Sequence, residues 1–425
     1  MKNYLAMTKE QLQQEYDLQK QTYLRCKEKG LKLDMSRGKP SKMQLDVANE
    51  LLATGLTPED CMDGNIDARN YGELCGLPCA RAYWAEILGC KPEQTIVGGN
   101  ASLNLMYDTI ARAYSHGLLH SERPWCKEQT VKFLCPSPGY DRHFRITEFF
   151  GAELITVPMT PNGPDMDLVE QLVKDPAVKG IWCVPKYSNP EGIIYSEETI
   201  RRIASLRCAA PDFLVMWDNA YCVHEFEGEY VDFPDILSVC EACGNPDMVI
   251  EFASTSKITI AGGGISVIAA SEANIAYILK LLSVENISYD KVNQIRHVRF
   301  LKNKENTLKL MKRHAALMQP KFAAVSDALQ EQIAPAGIAS WNRPTGGYFV
   351  SLNAMQGTAK RTLELCNQAG VVMTAAGATF PYGVDPADSN IRIAPSLPPV
   401  NELQQAMDVF CTCLKLAALE KLLAI

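Results

Sequence analysis

Between about residues 80 and 290, short apolar runs alternate with longer segments of helical character. That alternation restricts the possible folds more than any other feature of the chain. The runs at 131–135, 181–184, 213–217, 248–252 and 265–270 are too short for helices and lack a polar face, so each reads as a strand buried on both sides. Strands separated by helices imply βαβ units, hence an α/β fold with a mostly parallel central sheet flanked by helices. At 425 residues the chain exceeds one such domain, given about 150 residues per domain. The C-terminal third reads as a long helix over about 300–330, strands at 346–350 and 391–394, and helix to the end. Near the start, Thr8 stands three residues before Gln11, a capping-box spacing, and a polar helix runs from there to Gly30. The expected organisation is an N-terminal arm contributing to the small domain (1–50), a large α/β domain (51–300), and a smaller α+β C-terminal domain (301–425).

Composition removes several classes of function. Hydrophobic residues at 47% and charged residues at 21% suit a globular chain with a large core. A net charge of −7 opposes binding to nucleic acid or to anionic lipid. No run approaches the roughly 20 apolar residues of a membrane span, and Met1-Lys2-Asn3 leads into polar helix rather than a secretory signal. A cytoplasmic protein is expected. Of fifteen cysteines, Cys135, Cys183, Cys366 and Cys411 sit in apolar runs, as core thiols of a reducing compartment do. Cys240-x-x-Cys243 has no second Cys or His pair at ligand spacing, and His116 and His120 have no thiol or acidic partner nearby, so no metal is expected.

Ligands of open parallel sheets bind beyond the carboxyl ends of the strands, so the residues following each predicted strand carry the most information. They are Pro136-Ser137-Pro138-Gly139-Tyr140, Pro185-Lys186-Tyr187-Ser188-Asn189-Pro190, Asp218-Asn219-Ala220-Tyr221 and Ala253-Ser254-Thr255-Ser256-Lys257. Taken alone, Asp218 could cap a helix, Tyr140 could be core packing and Arg392 an ordinary ion pair. In this order they deliver an aromatic, an amide, a carboxylate with a phenol, and a lysine among hydroxyls.

With these residues the chain resembles the fold-type I pyridoxal-phosphate enzymes of the aspartate aminotransferase family, from about Leu33 to Pro395. The resemblance implies a Schiff-base lysine at Lys257, with Ser254 in the usual Ser-x-x-Lys spacing and Ser256 beside it. It makes Asp218 the carboxylate against the pyridine nitrogen, Tyr221 the phenol on the ring hydroxyl and Asn189 the amide contacting the same oxygen and the substrate. Tyr140 becomes the aromatic stacked on the ring. Gly98-Gly99-Asn100-Ala101-Ser102 precedes a helical run over 103–114, whose N-terminal amides can hold the phosphate. Tyr71 matches the tyrosine lent to the phosphate by a partner subunit, which implies a homodimer with shared active sites. Arg392 matches the arginine that takes the substrate α-carboxylate.

The strings Ser36-Arg37-Gly38-Lys39-Pro40-Ser41 and Val292-Asn293-Gln294-Ile295-Arg296-His297-Val298-Arg299 look closest to a divergent subgroup related to the enzyme-like domain of MocR-type regulators. One departure stands out. The family commonly has a phosphate-clamping arginine eight residues after the lysine, where this chain has Ile265.

The implied activity is amino transfer from aspartate or glutamate to 2-oxoglutarate or oxaloacetate. The alternatives are a β-lyase or decarboxylase with the same cofactor, or a non-catalytic regulator. The regulator is disfavoured by acidic charge and by the shortness of the segment preceding the match, about 35 residues and too few for a winged helix. A dicarboxylic donor requires a second cation, for which Arg37, Arg296 and Arg299 are candidates. Arg37 is favoured because Gly38 beside it would let backbone and ligand approach closely.

Overall fold

The computed structural model describes residues 3–425; Met1 and Lys2, where the reading of the N-terminus begins, lie outside them. Helix α1 (Lys9–Glu28) opens with the expected capping box, the Thr8 hydroxyl accepting from the Gln11 amide at 3.3 Å and the Gln11 side chain accepting from the Thr8 amide at 3.0 Å.

The central sheet has eight strands: β1 (Thr95–Val97), β2 (Lys132–Ser137), β3 (Glu153–Thr160), β4 (Gly163–Pro164), β5 (Val178–Cys183), β6 (Leu214–Asp218), β7 (Val249–Ser254) and β8 (Ser266–Ala270). Their spatial order is β1-β8-β7-β6-β5-β2-β3-β4. The run from β7 to β3 is parallel, and β8 is antiparallel to both of its neighbours. Side chains alternate between two apolar layers. Phe133, Trp182, Met216 and Phe252 pack on one face, while Leu134, Ile181, Val215 and Val249 pack on the other. Continuous apolar composition follows from this two-sided burial. Strands β1 and β3 were not legible, because β1 has three residues and β3 alternates buried with exposed positions.

Helices α2 (Ser102–Ser115) and α3 (Asp141–Phe149) follow β1 and β2. Helix α4 (Lys291–Leu301) leads to the 29-residue α5 (Lys304–Gln332). Beyond it a three-stranded antiparallel sheet joins β9 (Ala339–Trp341), β10 (Val350–Ala354) and β11 (Asn390–Ile393), covered by α6 (Val400–Leu423). The strand expected over 346–350 begins only at Val350. Gly346 and Gly347 instead lie against Tyr187, where an added Cβ would collide with its ring or backbone, so this stretch packs as a loop.

A separate apolar core gathers Leu12, Tyr23 and Met35 from the N-terminal segment with Phe322, Leu352, Ile393 and Phe410. Helix α5 crosses from one body to the other. Leu310 and Met311 belong to the sheet core, Met318 and Phe322 to the second core, and Pro320 lies inside the helix between them.

Candidate active site

The carboxyl ends of β2, β5, β6 and β7 open on a cavity of about 560 Å³, closed on its other side by residues of the second body. Tyr140, Asn189, Asp218, Tyr221, Ser254, Ser256 and Lys257 all line it. Ala101 and Ser102 line it from the start of α2. Asn100 does not line it but stands behind, its carbonyl accepting from the Ser256 hydroxyl at 3.2 Å. From the second body come Arg37, Gly38 and Arg392.

Asp218 ends β6 and is buried. Its Oδ2 lies 2.8 Å from His143 Nε2, while Oδ1 is buried without a partner. His143 stacks on Trp182 with ring centroids 4.3 Å apart and planes within 8°. His143 is a site residue that sequence reading missed. Its signal is its place one helical turn after Tyr140, whose ring meets it edge-on at 4.9 Å.

Lys257 Nζ lies 5.0 Å from the centroid of the Tyr221 ring and 5.9 Å from that of Tyr348. Burial pushes its pKa below the usual lysine range, and the Asp218 charge opposes that shift. Burial also holds the Tyr221 phenol well above its ordinary value. Two buried histidines grip the loop after the lysine. His314 Nε2 donates to the Ile258 carbonyl at 3.0 Å, and His297 Nε2 lies 3.1 Å from the Thr259 hydroxyl.

At the start of α2 the N-cap is Ala101, which offers no side-chain acceptor; the Asn104 amide turns back to the Ala101 carbonyl at 3.2 Å, and the Ser102 and Leu103 amides are left for an anion. Ser102, Ser254 and Ser256 add hydroxyls to that end of the cavity. Ile265 is buried in the sheet core and its amide donates to Thr255 Oγ1 at 2.9 Å, so the position holds no cation. The cations lining the cavity, among the described residues, are Lys257, Arg392, Arg37 and Arg142.

Arg392 is 8% exposed and lies over the Phe349 ring, 4.8 Å from its centroid. Its Nη1 donates to Asn189 Oδ1 at 3.3 Å and to Asp141 Oδ1 at 3.1 Å. Gly38 serves a different purpose from the one expected. A Cβ there would collide with the Phe349 ring, so the glycine makes room for the aromatic under Arg392 rather than for a ligand. Two expected cations lie off the cavity. Arg299 pairs with Asp60 at 2.6 Å and is half exposed, while Arg296 is half-buried with no cavity contact. The reason is the orientation of α4, which turns Asn293 and His297 toward the lysine loop. Arg142, missed in the sequence, lines the cavity instead. Tyr71 is 80% exposed and outside the cavity of its own chain.

The buried, partnerless Asp218 oxygen suits a protonated ring nitrogen, the amides of α2 suit a phosphate and Lys257 suits an aldehyde. Fold and site together define a fold-type I pyridoxal-phosphate aminotransferase, which moves an amino group between an amino acid and a 2-oxo acid. The chain belongs to the aspartate aminotransferase family, whose model, described as aspartate amino-transferase, matches residues 7–424. It is 48% identical over 402 residues to the aspartate aminotransferase of Corynebacterium glutamicum, covering 94% of this chain and 93% of that one. The solved structure of an aspartate transaminase from Corynebacterium glutamicum superposes with a TM-score of 0.95 at 46% identity, over 97% of both chains. The α-aminoadipate aminotransferase of Thermus thermophilus shares the fold, with a TM-score of 0.72 at 20% identity over 94% of this chain and 95% of that one. No helix among the described residues is long and apolar enough to cross a membrane.

Proposed function

We propose that this aminotransferase takes acidic amino acids, aspartate and glutamate, as donors and their 2-oxo acids as acceptors, and that it works as a homodimer. The observation carrying the substrate reading is the charge of the cavity. Besides Lys257 and Arg392 it holds Arg37 and Arg142, neither of which makes an ion pair among the described residues. Arg392 accounts for the α-carboxylate that every amino acid has. A second carboxylate in the same cavity costs several kcal/mol unless a cation meets it, and the two remaining arginines are that cation. The aspartate aminotransferase of Corynebacterium glutamicum supports the reading by its name. The dimer reading rests on Tyr71, exposed in its own chain and matching the tyrosine that reaches a neighbour's phosphate.

Pyridoxal phosphate supplies an aldehyde that takes up the amine and a cationic ring that draws electrons from the substrate carbon. The protein's groups then divide the work. Asp218 would set its unpartnered carboxyl oxygen against the ring nitrogen, and His143 fixes that side chain from the other oxygen. The amine of Lys257 is shifted toward its neutral form by burial, so it can take a proton from the α-carbon and return it elsewhere. Arg392 and Asn189 would orient the α-carboxylate, Tyr140 would cover one face of the cofactor ring, and Tyr221 would address the ring hydroxyl. Ser102, Ser254 and the amides of α2 would hold the phosphate with neutral donors, and Ser256 would join them by turning its hydroxyl from the Asn100 carbonyl.

The test compares aspartate with alanine. Replacing Arg37 and Arg142 by alanine, singly and together, should lower kcat/KM for aspartate about 100-fold, near the 3 kcal/mol of a charge-assisted contact. Alanine turnover should barely change, since alanine has no second carboxylate. If alanine or an aromatic amino acid were the best donor for the unaltered enzyme, the acidic-substrate reading would be wrong.

A further inference from the structure

Arg392 reaches its substrate already in company. Of its guanidinium nitrogens, Nη1 is shared by Asp141 Oδ1 and Asn189 Oδ1, and Nη2 points to Thr374 Oγ1 at 3.4 Å. Only Nε is buried without a partner. The edge formed by Nε and one Nη is what a carboxylate takes in a bidentate pair. Phe349 covers one face of the group, and Asp141, Asn189 and Thr374 already engage Nη1 and Nη2, so the edge that includes Nε is the one with a donor still free. Asp141 is the first residue of α3, directly after Tyr140, where an acidic side chain also meets the favourable end of the helix dipole. It lines the same cavity as Arg392 and is one-third exposed, so both groups border the space a substrate enters.

We infer that Asp141 is an affinity-setting residue, a fixed carboxylate that shares Arg392 with the α-carboxylate of every substrate and so weakens ground-state binding of donor and acceptor alike. The inference rests on Arg392 as the receiver of that carboxylate. Two anions on one guanidinium repel each other, and each loses part of the attraction it would have alone. Because donor and 2-oxo acid both present the α-carboxylate, the weakening is uniform and falls on KM rather than on discrimination between substrates. Weak ground-state binding lets product leave after each half of the reaction.

The experiment uses the holoenzyme with Asp141→Asn, which keeps the shape of the side chain and removes its charge. Asp141→Ser is measured in parallel in case the amide disturbs α3. KM for donor and for acceptor should each fall fivefold or more, by similar factors. Propanoate, a monocarboxylate that cannot react, should show the same drop in Kd when followed by the visible absorbance of the holoenzyme. A purely structural role for Asp141, holding Arg392 in place, would raise both KM values and the propanoate Kd. That rise, or no change, overturns the inference. Arg392→Lys distinguishes the two levels of the argument. If it weakens propanoate binding and the Asp141 variants do not strengthen it, only the Asp141 inference falls. If Arg392→Lys leaves propanoate binding unaltered, the assignment of Arg392 falls and the inference with it.

Discussion

The grip of His314 on the lysine loop makes a quantitative prediction about acid. Its Nε2–H donates to the Ile258 carbonyl, one residue past Lys257, and burial lowers its pKa to about 4. An unfolded histidine titrates near 6.5, so the folded value lies below the unfolded one. The folded protein therefore keeps the ring neutral where the unfolded chain binds a proton. The stability is fully present above about pH 6.5 and is lost progressively as pH falls toward 4. Between pH 7.0 and 5.5 the linkage amounts to about 1.2 kcal/mol for this one group. The perturbation is His314→Gln, whose amide can still donate to Ile258 but does not titrate. Urea unfolding at fixed protein and cofactor concentration, at both pH values, gives the loss for each protein. The unaltered enzyme should lose about 1.2 kcal/mol more than the variant over this interval. All other titrating groups cancel in that difference. Equal losses in the two proteins would mean that His314 is protonated, or solvated, in the fold, and the argument from its burial would be refuted.

Three further outcomes are expected. Lys257→Ala should be purified without the visible absorbance of the bound cofactor and should show no amino transfer by a coupled 2-oxo acid assay. Asp218→Ala should lose about 10²- to 10³-fold in kcat, as removal of a preorganised electrostatic partner does, and His143→Leu a smaller part of it, both read in steady-state kinetics. Light scattering should give the mass of a dimer, a crystal structure should show its interface burying above about 2,000 Å², and Tyr71→Ala should remain dimeric while releasing cofactor more readily on dialysis. A fully active monomer would remove Tyr71 from the shared site.

What could be read from the residues was what the strand ends deliver. Tyr140, Asn189, Asp218, Tyr221 and Lys257 converge because parallel strands place their carboxyl ends on one edge, and the buried runs marking those strands are continuous in sequence. The departures arose where position depends on contacts distant in the chain. Arg296 and Arg299 share a helix face, but whether that face meets the cavity depends on how α4 packs, and Asp60 had already claimed Arg299. Gly38 suggested room for a ligand, whereas its neighbour is a phenylalanine more than 300 residues away. Arg142 and His143 stand two and three residues after Tyr140, but their roles emerge only when Asp218 and the cavity are brought against α3.

Helix α5 has a mechanical consequence for the whole site. It passes from the sheet core to the second core over residues 315–318, where Ala315 and Met318 pack in the second core and Leu317 still packs against the first. Pro320 has no N–H to offer the carbonyl one turn back, so the rod lacks a rung almost at that border. Its flexural weak point thus coincides with the seam between the two packed bodies. His314 and the lysine loop lie on one side of the seam, and the strand bearing Arg392 on the other. The seam is packed across, Phe226 of the sheet body stacking on Phe322 at 4.1 Å and Val184, Tyr187 and Tyr221 joining the second core, so a change of angle there would have to repack these contacts. A substrate held at its nitrogen end by Lys257 and at its carboxylate by Arg392 would therefore span that seam as a strut between the two bodies.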